Sequence, residues 1–336
     1  MTSHSPIFEA INLSKTFVVK NDFLATATAS LTGKQVEPQM VRAVDNISLS
    51  LKDGETLGIV GESGCGKSTL ARMIAGISSA TSGSMKFKGR DFDDVLANKS
   101  DALKIQMIFQ DPMSSLNPRH KVVDIVGEGA VTHGIVKRSE MREYVTGILK
   151  TVGLGVDHLD RFPHQFSGGQ RQRIGIARAL AVKPEMLICD EAVAALDVSV
   201  QAQIANLFMD IRQATGLSML FISHDLSVIR HICDKVVVMY LGRVVEIADT
   251  QTLFEAPAHP YTRMLLDGMP KISLERREFM PIRGEIPSPL DPPSGCHFNP
   301  RCSFATEQCR STPPELVSDD RGGQNSCLNY GSLPDV

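Results

Sequence analysis

The sequence predicts an α/β fold interrupted by a helical insert and followed by a small Cys/Pro-rich C-terminal domain. Three observations carry this. Short β-branched runs alternate with helix-patterned segments from residue 1 to about 255. A glycine-rich loop, "GESGCGKST" (61–69), stands between a strand-like run and a helix-like one. From about residue 256 prolines and cysteines become dense.

Taken in order, "TLGIV" (56–60) reads as a buried strand and "KSTLARMIAGI" (67–77) as the helix after the glycine loop. "EMLICD" (185–190), "SMLFIS" (218–223) and "KVVVMY" (235–240) are further apolar runs of strand length. Between about 111 and 165 Met141, Val145, Ile148, Leu149 and Val152 recur at helical spacing, marking an amphipathic helix inside the insert. The polar, small-residue stretch 20–41 reads as a long loop. No internal repeat is found.

At 336 residues the chain is long enough for one large domain with an appendage, and 42% hydrophobic residues suit a buried core. A formal net charge of −3 gives no global basic field, so nucleic acid is not an expected partner. The opening "MTSHSPIFEA" lacks the basic start and apolar core of a signal peptide. The apolar runs are too short to cross a bilayer. The expectation is a soluble, cytoplasmic protein held at any membrane by something else.

The glycine loop matches G-x-x-x-x-G-K-[ST] at Gly61, Gly66, Lys67 and Ser68. Glycines let the backbone curl so that successive N–H groups face an anion, and the helix N-terminus adds partial positive charge. Residues Gly61, Ser63, Gly64, Cys65, Gly66, Lys67, Ser68 and Thr69 are therefore the candidate phosphate cradle. Lys67 is placed for the β- and γ-phosphates and Ser68 for Mg²⁺. Asp190, closing an apolar strand, is a second Mg²⁺ candidate, and Glu191 is placed to polarise water. Taken alone, an acidic pair after a strand is a common helix-start feature; the preceding phosphate loop gives it weight.

"FSGGQRQR" (166–173) resembles the signature sequence of ATP-binding-cassette (ABC) ATPases, and other motifs of that family follow in order. Phe17 in "LSKTF" resembles the adenine-stacking aromatic, Gln110 in "MIFQDP" the Q-loop glutamine, "AALD" (194–197) the D-loop, and His224 in "FISHD" the switch histidine. The resemblance spans essentially the whole chain. It implies a P-loop NTPase fold with an ABC nucleotide-binding domain over 1–255, a helical subdomain at about 111–165, and a distinct tail over 256–336. It further implies catalytic roles for Glu191, His224 and Gln110, with Gln110 also near Mg²⁺. Ser167, Gly168, Gly169 and Gln170 form another glycine-exposed helix start, an anion site in its own right. In the family, two subunits stack head to tail, each signature closing over the other's phosphate loop. Ala192 stands where the family usually has Pro, Ala194 where the D-loop usually has Ser, and Gln165 where the subfamily often has Glu.

"AHPYTRMLL" (258–266) and "GEIPSPLDPPSGCHFNPRC" (284–302) resemble the tails of ATPase subunits from oligopeptide and dipeptide importers, and of related nickel, opine and glutathione systems. "LNPR" and "PSPLDPPSGC" resemble the second ATPase of such a pair. The resemblance implies ATP hydrolysis coupled to peptide import, a sister ATPase in a heterodimer, two membrane permeases, and indirectly a solute-binding protein. The place implied is the cytoplasmic face of the bacterial inner membrane. Nickel, opine or another small solute is the alternative cargo. A soluble ABC ATPase acting on nucleic acid or ribosomes, and a regulatory ATPase that binds without turnover, are the rivals.

Cys296, Cys302, Cys309 and Cys327 have the spacing C-x5-C-x6-C-x17-C. In a reducing compartment such a late cluster suggests metal rather than disulfides. Four thiolates suit tetrahedral Zn²⁺ or a [4Fe–4S] cluster. The spacing matches neither common zinc nor ferredoxin runs and leaves both open, with free thiols a third option; the subfamily resemblance implies the cluster, in a structural role.

Overall fold

The computed structural model describes residues 5–19, 39–111, 115–194, 196–269 and 284–334. Most of the expected 20–41 loop, D-loop residue Ala195 and residues 112–114 lie outside the described residues. Residues 39–41, read as loop, belong to a strand.

Two sheets form the body. The smaller holds β1 (Pro6–Val19), β2 (Gln39–Lys52), β4 (Ser82–Phe87) and β5 (Arg90–Asp91) in the antiparallel order β2-β1-β4-β5. β2 alternates: Ile47, Leu49 and Leu51 are buried while Ser48, Ser50 and Lys52 face outward.

The larger sheet contains β3 (Thr56–Val60), β6 (Ile105–Ile108), β7 (Met186–Asp190), β8 (Ser218–Ile222), β9 (Lys235–Tyr240), β10 (Arg243–Asp249), β11 (Val317–Ser318) and β12 (Gln324–Asn325). Its order is β11-β12-β10-β9-β3-β8-β7-β6, with the β9-β3-β8-β7-β6 stretch parallel. Every residue of β3, β7 and β8 is buried, as a parallel sheet covered on both faces requires.

This sheet divides two cores, fed by alternate residues of one strand. Leu187 and Cys189 of β7 join one core, with Phe208 and Ile174; Met186 and Ile188 join the other, with Leu70, Met73 and Phe8. The first core seats the helical insert on the sheet. Its helices Val122–Thr132 and Met141–Thr151 lie within the expected insert, and Met141, Val145 and Leu149 form the buried stripe read from their spacing. The second core seats the Lys67–Ile74 helix and the antiparallel sheet. That helix stops three residues before the expected end, where Ala75 caps it and Gly76 turns left-handed (φ 71°).

The C-terminal segment does not stand apart from this body. β12 pairs antiparallel with β10 (Glu246 opposite Asn325, Ile247 opposite Gln324) and β11 pairs with β12, so the tail lengthens the main sheet. Glu246, fully buried, ties the junction: its carboxylate accepts from the backbone N–H groups of Ala258 (2.7 Å) and His259 (2.9 Å) and meets Arg321 at 3.3 Å.

Candidate ATP site

β3 runs into the glycine loop, and the loop into the Lys67–Ile74 helix. Gly66, the residue before the helix, has φ 106° and ψ 0°, and a Cβ there would stand 2.0 Å from the Ala43 carbonyl oxygen. Only glycine fits that bend. A Cβ on Gly61 would meet the Met239 carbonyl oxygen at 2.2 Å, so the loop's entry is equally closed to side chains. Ser63 and Gly64 are exposed at the loop's crest, Thr69 is half-buried on the helix, and Cys65 is buried beneath. Burial pushes the Cys65 thiol up, against the pull of Lys67. The Lys67 side chain folds back along the loop, its Nζ donating to the carbonyl oxygens of Gly61 (2.8 Å) and Glu62 (2.9 Å).

β7 delivers the acidic pair beside this loop. Ser68 Oγ donates to Asp190 Oδ1 at 3.0 Å, joining a loop hydroxyl to a strand-end carboxylate. Burial pushes the Asp190 carboxyl up, the Ser68 bond opposes this, and the adjacent Glu191 charge reinforces it. A buried carboxylate held up by desolvation beside a hydroxyl is a donor set that fits a hard cation such as Mg²⁺.

Glu191 turns out of β7 with φ 50°, a left-handed backbone for a non-glycine residue, and its N–H donates to the Ile222 carbonyl of β8 (3.0 Å). The carboxylate thereby faces two other strand ends. Gln110, after β6, donates its Nε2 to Glu191 Oε2 at 2.7 Å, and His224 Nδ1, after β8, lies 3.6 Å from Glu191 Oε1. Residues far apart in sequence thus meet at the carboxyl ends of neighbouring parallel strands, where α/β sheets bind ligands.

Two expected elements are placed elsewhere. Phe17 sits on β1 opposite Val41, 44% exposed, with Lys15 Nζ 5.3 Å over its ring. Ser167 caps the Gly168–Leu180 helix in a reciprocal box: its Oγ accepts from Gln170 N–H (3.4 Å), and Gln170 Oε1 accepts from Ser167 N–H (3.1 Å). A Cβ on Gly169 would stand 2.5 Å from Val200, so this helix start is pressed against the helix Val198–Thr215; Gly168 lies near Leu196 of the D-loop.

The whole chain can now be set against known proteins. It is 46% identical over 332 residues to the dipeptide transport ATP-binding protein DppF of Haemophilus influenzae, covering 97% of both chains. The chain belongs to the ABC transporter ATP-binding family. Residues 44–194 match the ABC transporter family model, and residues 245–309 match the model for the oligopeptide/dipeptide transporter C-terminal region. The oligopeptide transport ATP-binding protein OppF of Escherichia coli is 47% identical over 305 residues, covering 88% of this chain and 90% of that protein. Among solved structures, cbiO1 from Clostridium perfringens, part of the ABC transporter complex cbiONQ, superposes with a TM-score of 0.60 at 27% identity, over 74% of this chain and 90% of that one. The ATP-binding cassette MJ0796, in a dimeric post-hydrolysis state bound to ADP and Pi, gives 0.60 at 25% identity over 72% and 98%. As an ABC ATPase this chain takes ATP, with Mg²⁺, as its substrate. Among the described residues no helix is long and apolar enough to cross a membrane.

The four late cysteines are all free thiols. Cys296 and Cys309 are joined by a backbone bond (Cys296 N–H to Cys309 C=O, 2.8 Å), and Cys309 Sγ lies 3.3 Å from Thr306 Oγ1 and 3.5 Å from Asn329 Nδ2. Burial pushes up the thiols of Cys296, Cys302 and Cys327, the last to about 11, and each also feels the charge of other cysteines of the set. Yet among the described residues no group of three or more His, Cys, Asp or Glu is arranged to hold a metal ion. The expected iron–sulfur or zinc ligand set is not preformed: closing thiolates onto one ion, about 2.3 Å from each sulfur, needs a cation to offset their mutual repulsion.

The residues that sequence reasoning missed surround the loop. Glu62, Tyr240, Tyr261 and Arg301 contact it or one another, and no motif brings them together in the sequence.

Proposed function

We propose that this chain is the ATP-hydrolysing subunit of a peptide importer, paired with a sister ATPase and docked through its Q-loop and helical insert on two permeases at the cytoplasmic face of the inner membrane. The observation that carries this is 46% identity along 97% of the chain to a dipeptide transport ATP-binding protein, tail included. The match of residues 245–309 to the oligopeptide/dipeptide transporter C-terminal region supports the same reading.

The contacts support a division of labour. Lys67 and the loop amides bind the β- and γ-phosphates, with Ser63, Gly64 and Thr69 lining the cradle and Phe17 stacking on adenine. Ser68 and Asp190 would hold Mg²⁺, with Gln110 a further candidate ligand, and the ion would supply charge neutralisation at the phosphates. Glu191 accepts a proton from water, oriented by Gln110 and His224. Ser167, Gly168, Gly169 and Gln170 close on the partner subunit's nucleotide as a capped helix start. Rate acceleration comes mainly from positioning and charge stabilisation. The tail's resemblance to those of peptide-importer ATPases, rather than any preformed ligand geometry, is the ground for a [4Fe–4S] cluster at Cys296, Cys302, Cys309 and Cys327, with zinc the alternative.

The test is reconstitution in proteoliposomes with the neighbouring permeases, sister ATPase and solute-binding protein. A di- or oligopeptide is expected to stimulate ATP hydrolysis and accumulate in the lumen. Stimulation by nickel or an opine but no peptide overturns the cargo assignment, and a chain that co-purifies with ribosomes instead of permeases overturns the transport assignment.

A further inference from the structure

Glu62, the second residue of the glycine loop, is held at its N–H, its carboxylate and its carbonyl, the first two from outside the loop. Its N–H donates to Tyr261 Oη (2.9 Å). Its carboxylate takes both prongs of Arg301: Nη1 to Oε2 at 2.6 Å and Nη2 to Oε1 at 2.8 Å. Its carbonyl oxygen accepts from Lys67 Nζ (2.9 Å). Arg301 lies 239 residues further along the chain, in the tail between Cys296 and Cys302, with its side chain only 2% exposed. It is seated among aromatic rings. Its guanidinium is 5.7 Å from the Tyr240 ring and 5.9 Å from that of Phe298, and Nη1 reaches Tyr240 Oη at 3.3 Å. Tyr240, Tyr261 and Phe298 contact each other with ring centroids 4.7–5.4 Å apart.

A loop that binds a triphosphate gains nothing electrostatically from a carboxylate at its second position. Left unpaired and 14% exposed, Glu62 would repel the phosphates at short range through poorly screening surroundings. A bidentate guanidinium cancels that charge and fixes the carboxylate plane. We infer that Arg301 is a positioning residue of the ATP site: from the tail, it neutralises Glu62 and, with Tyr261, fixes the Glu62 peptide whose carbonyl holds Lys67. The inference rests on reading residues 61–69 as the ATP loop, and it makes the C-terminal segment part of the nucleotide site rather than an appendage.

Equilibrium binding of MgATP to the purified full-length chain tests this, with thermal unfolding as the check on folding. R301M leaves Glu62 charged and unpaired, and is expected to weaken MgATP binding about tenfold or more, the scale of a hydrogen-bonded charge pair. E62Q/R301M removes the uncancelled charge and is expected within about threefold of wild type; R301K restores a cation without the two-pronged fork and is expected to fall between R301M and wild type. Wild-type affinity in R301M, or a double variant as weak as R301M, overturns the inference. Should R301M fail to fold, R301K carries the test: a loss of MgATP affinity of about threefold or more is expected, and wild-type affinity in R301K overturns the inference. If the wild-type chain itself binds no MgATP, it is the reading of the loop that fails instead.

Discussion

Gln110 donates a 2.7 Å hydrogen bond from its Nε2 to Oε2 of Glu191, joining the end of β6 to the end of β7. A carboxylate held this way has one oxygen engaged, while the other faces His224 at 3.6 Å. The proposed general base is therefore held from one neighbouring strand end and faced by a histidine from the other.

Glu191→Gln keeps an acceptor oxygen for Gln110 but cannot take a proton. We expect MgATP binding to stay within about threefold of wild type while turnover falls at least about 100-fold, the usual scale of a general base. The measurement is phosphate release in a complex whose sister site is disabled. Wild-type turnover there would show that Glu191 is not the base.

Ser68→Ala removes the hydroxyl that meets Asp190 at 3.0 Å. The expected outcome is a loss of the Mg²⁺-dependent part of ATP affinity, with binding in the presence of a chelator nearly unchanged. Titrating nucleotide with and without Mg²⁺ separates the two, and an equal loss in both would assign Ser68 to the phosphates alone.

His259 gives a pH signature. It is 1% exposed, burial pulls it from 6.5 down to about 3, and its Nδ1 accepts from the Tyr261 N–H at 3.1 Å. The folded protein keeps it neutral while the unfolded chain protonates it below 6.5, so the unfolded state binds more protons as pH falls. The contribution of His259 to stability is full above 6.5 and is lost progressively as pH falls from 6.5 towards 3. His259→Asn, which retains an acceptor for the helix start, is expected to flatten the fall in thermal midpoint between pH 7 and pH 5. An unchanged slope would place the acid sensitivity elsewhere.

Glu246 accepts two backbone N–H groups and faces Arg321 with no exposed surface of its own. Glu246→Ala leaves the two N–H donors without their acceptor while Arg321 keeps Asp319 (2.5 Å), at about 2 kcal/mol of stability. Urea denaturation of the full chain reads this directly, and a cost under about 1 kcal/mol would mean the junction rearranges around the loss.

Anaerobically purified chain is expected to carry a broad visible absorbance that air bleaches and that disappears in Cys302→Ser. Stoichiometric zinc and a colourless preparation would replace the cluster with the single-ion alternative.

What was legible in the sequence is local. β3 and β9 occupy the very runs read as strands, because a fully buried parallel strand is a short uninterrupted apolar run. The buried stripe Met141, Val145, Leu149 was legible because helical spacing survives any context. The antiparallel sheet was not read, although Ile47, Leu49 and Leu51 alternate with polar residues in plain sight; the eye for apolar runs passes over a half-exposed strand. Ser68 with Asp190 and Glu191 with His224 could be paired in advance because each belongs to a motif with a chemical reason. Glu62 with Arg301 could not, since that contact depends on where the tail returns, and an arginine beside a cysteine carries no trace of its distant partner.

The last strand of the main sheet, Gln324–Asn325, comes from near the end of the chain, and it covers the outer flank of β10. Without it that flank has no neighbour. A chain lacking residues 317–325 therefore leaves Glu246 and Ile247 with a raw hydrogen-bonding margin, the kind that joins with its like into aggregates. The tail thus doubles as an edge guard, closing a border along which copies of the sheet would otherwise pair.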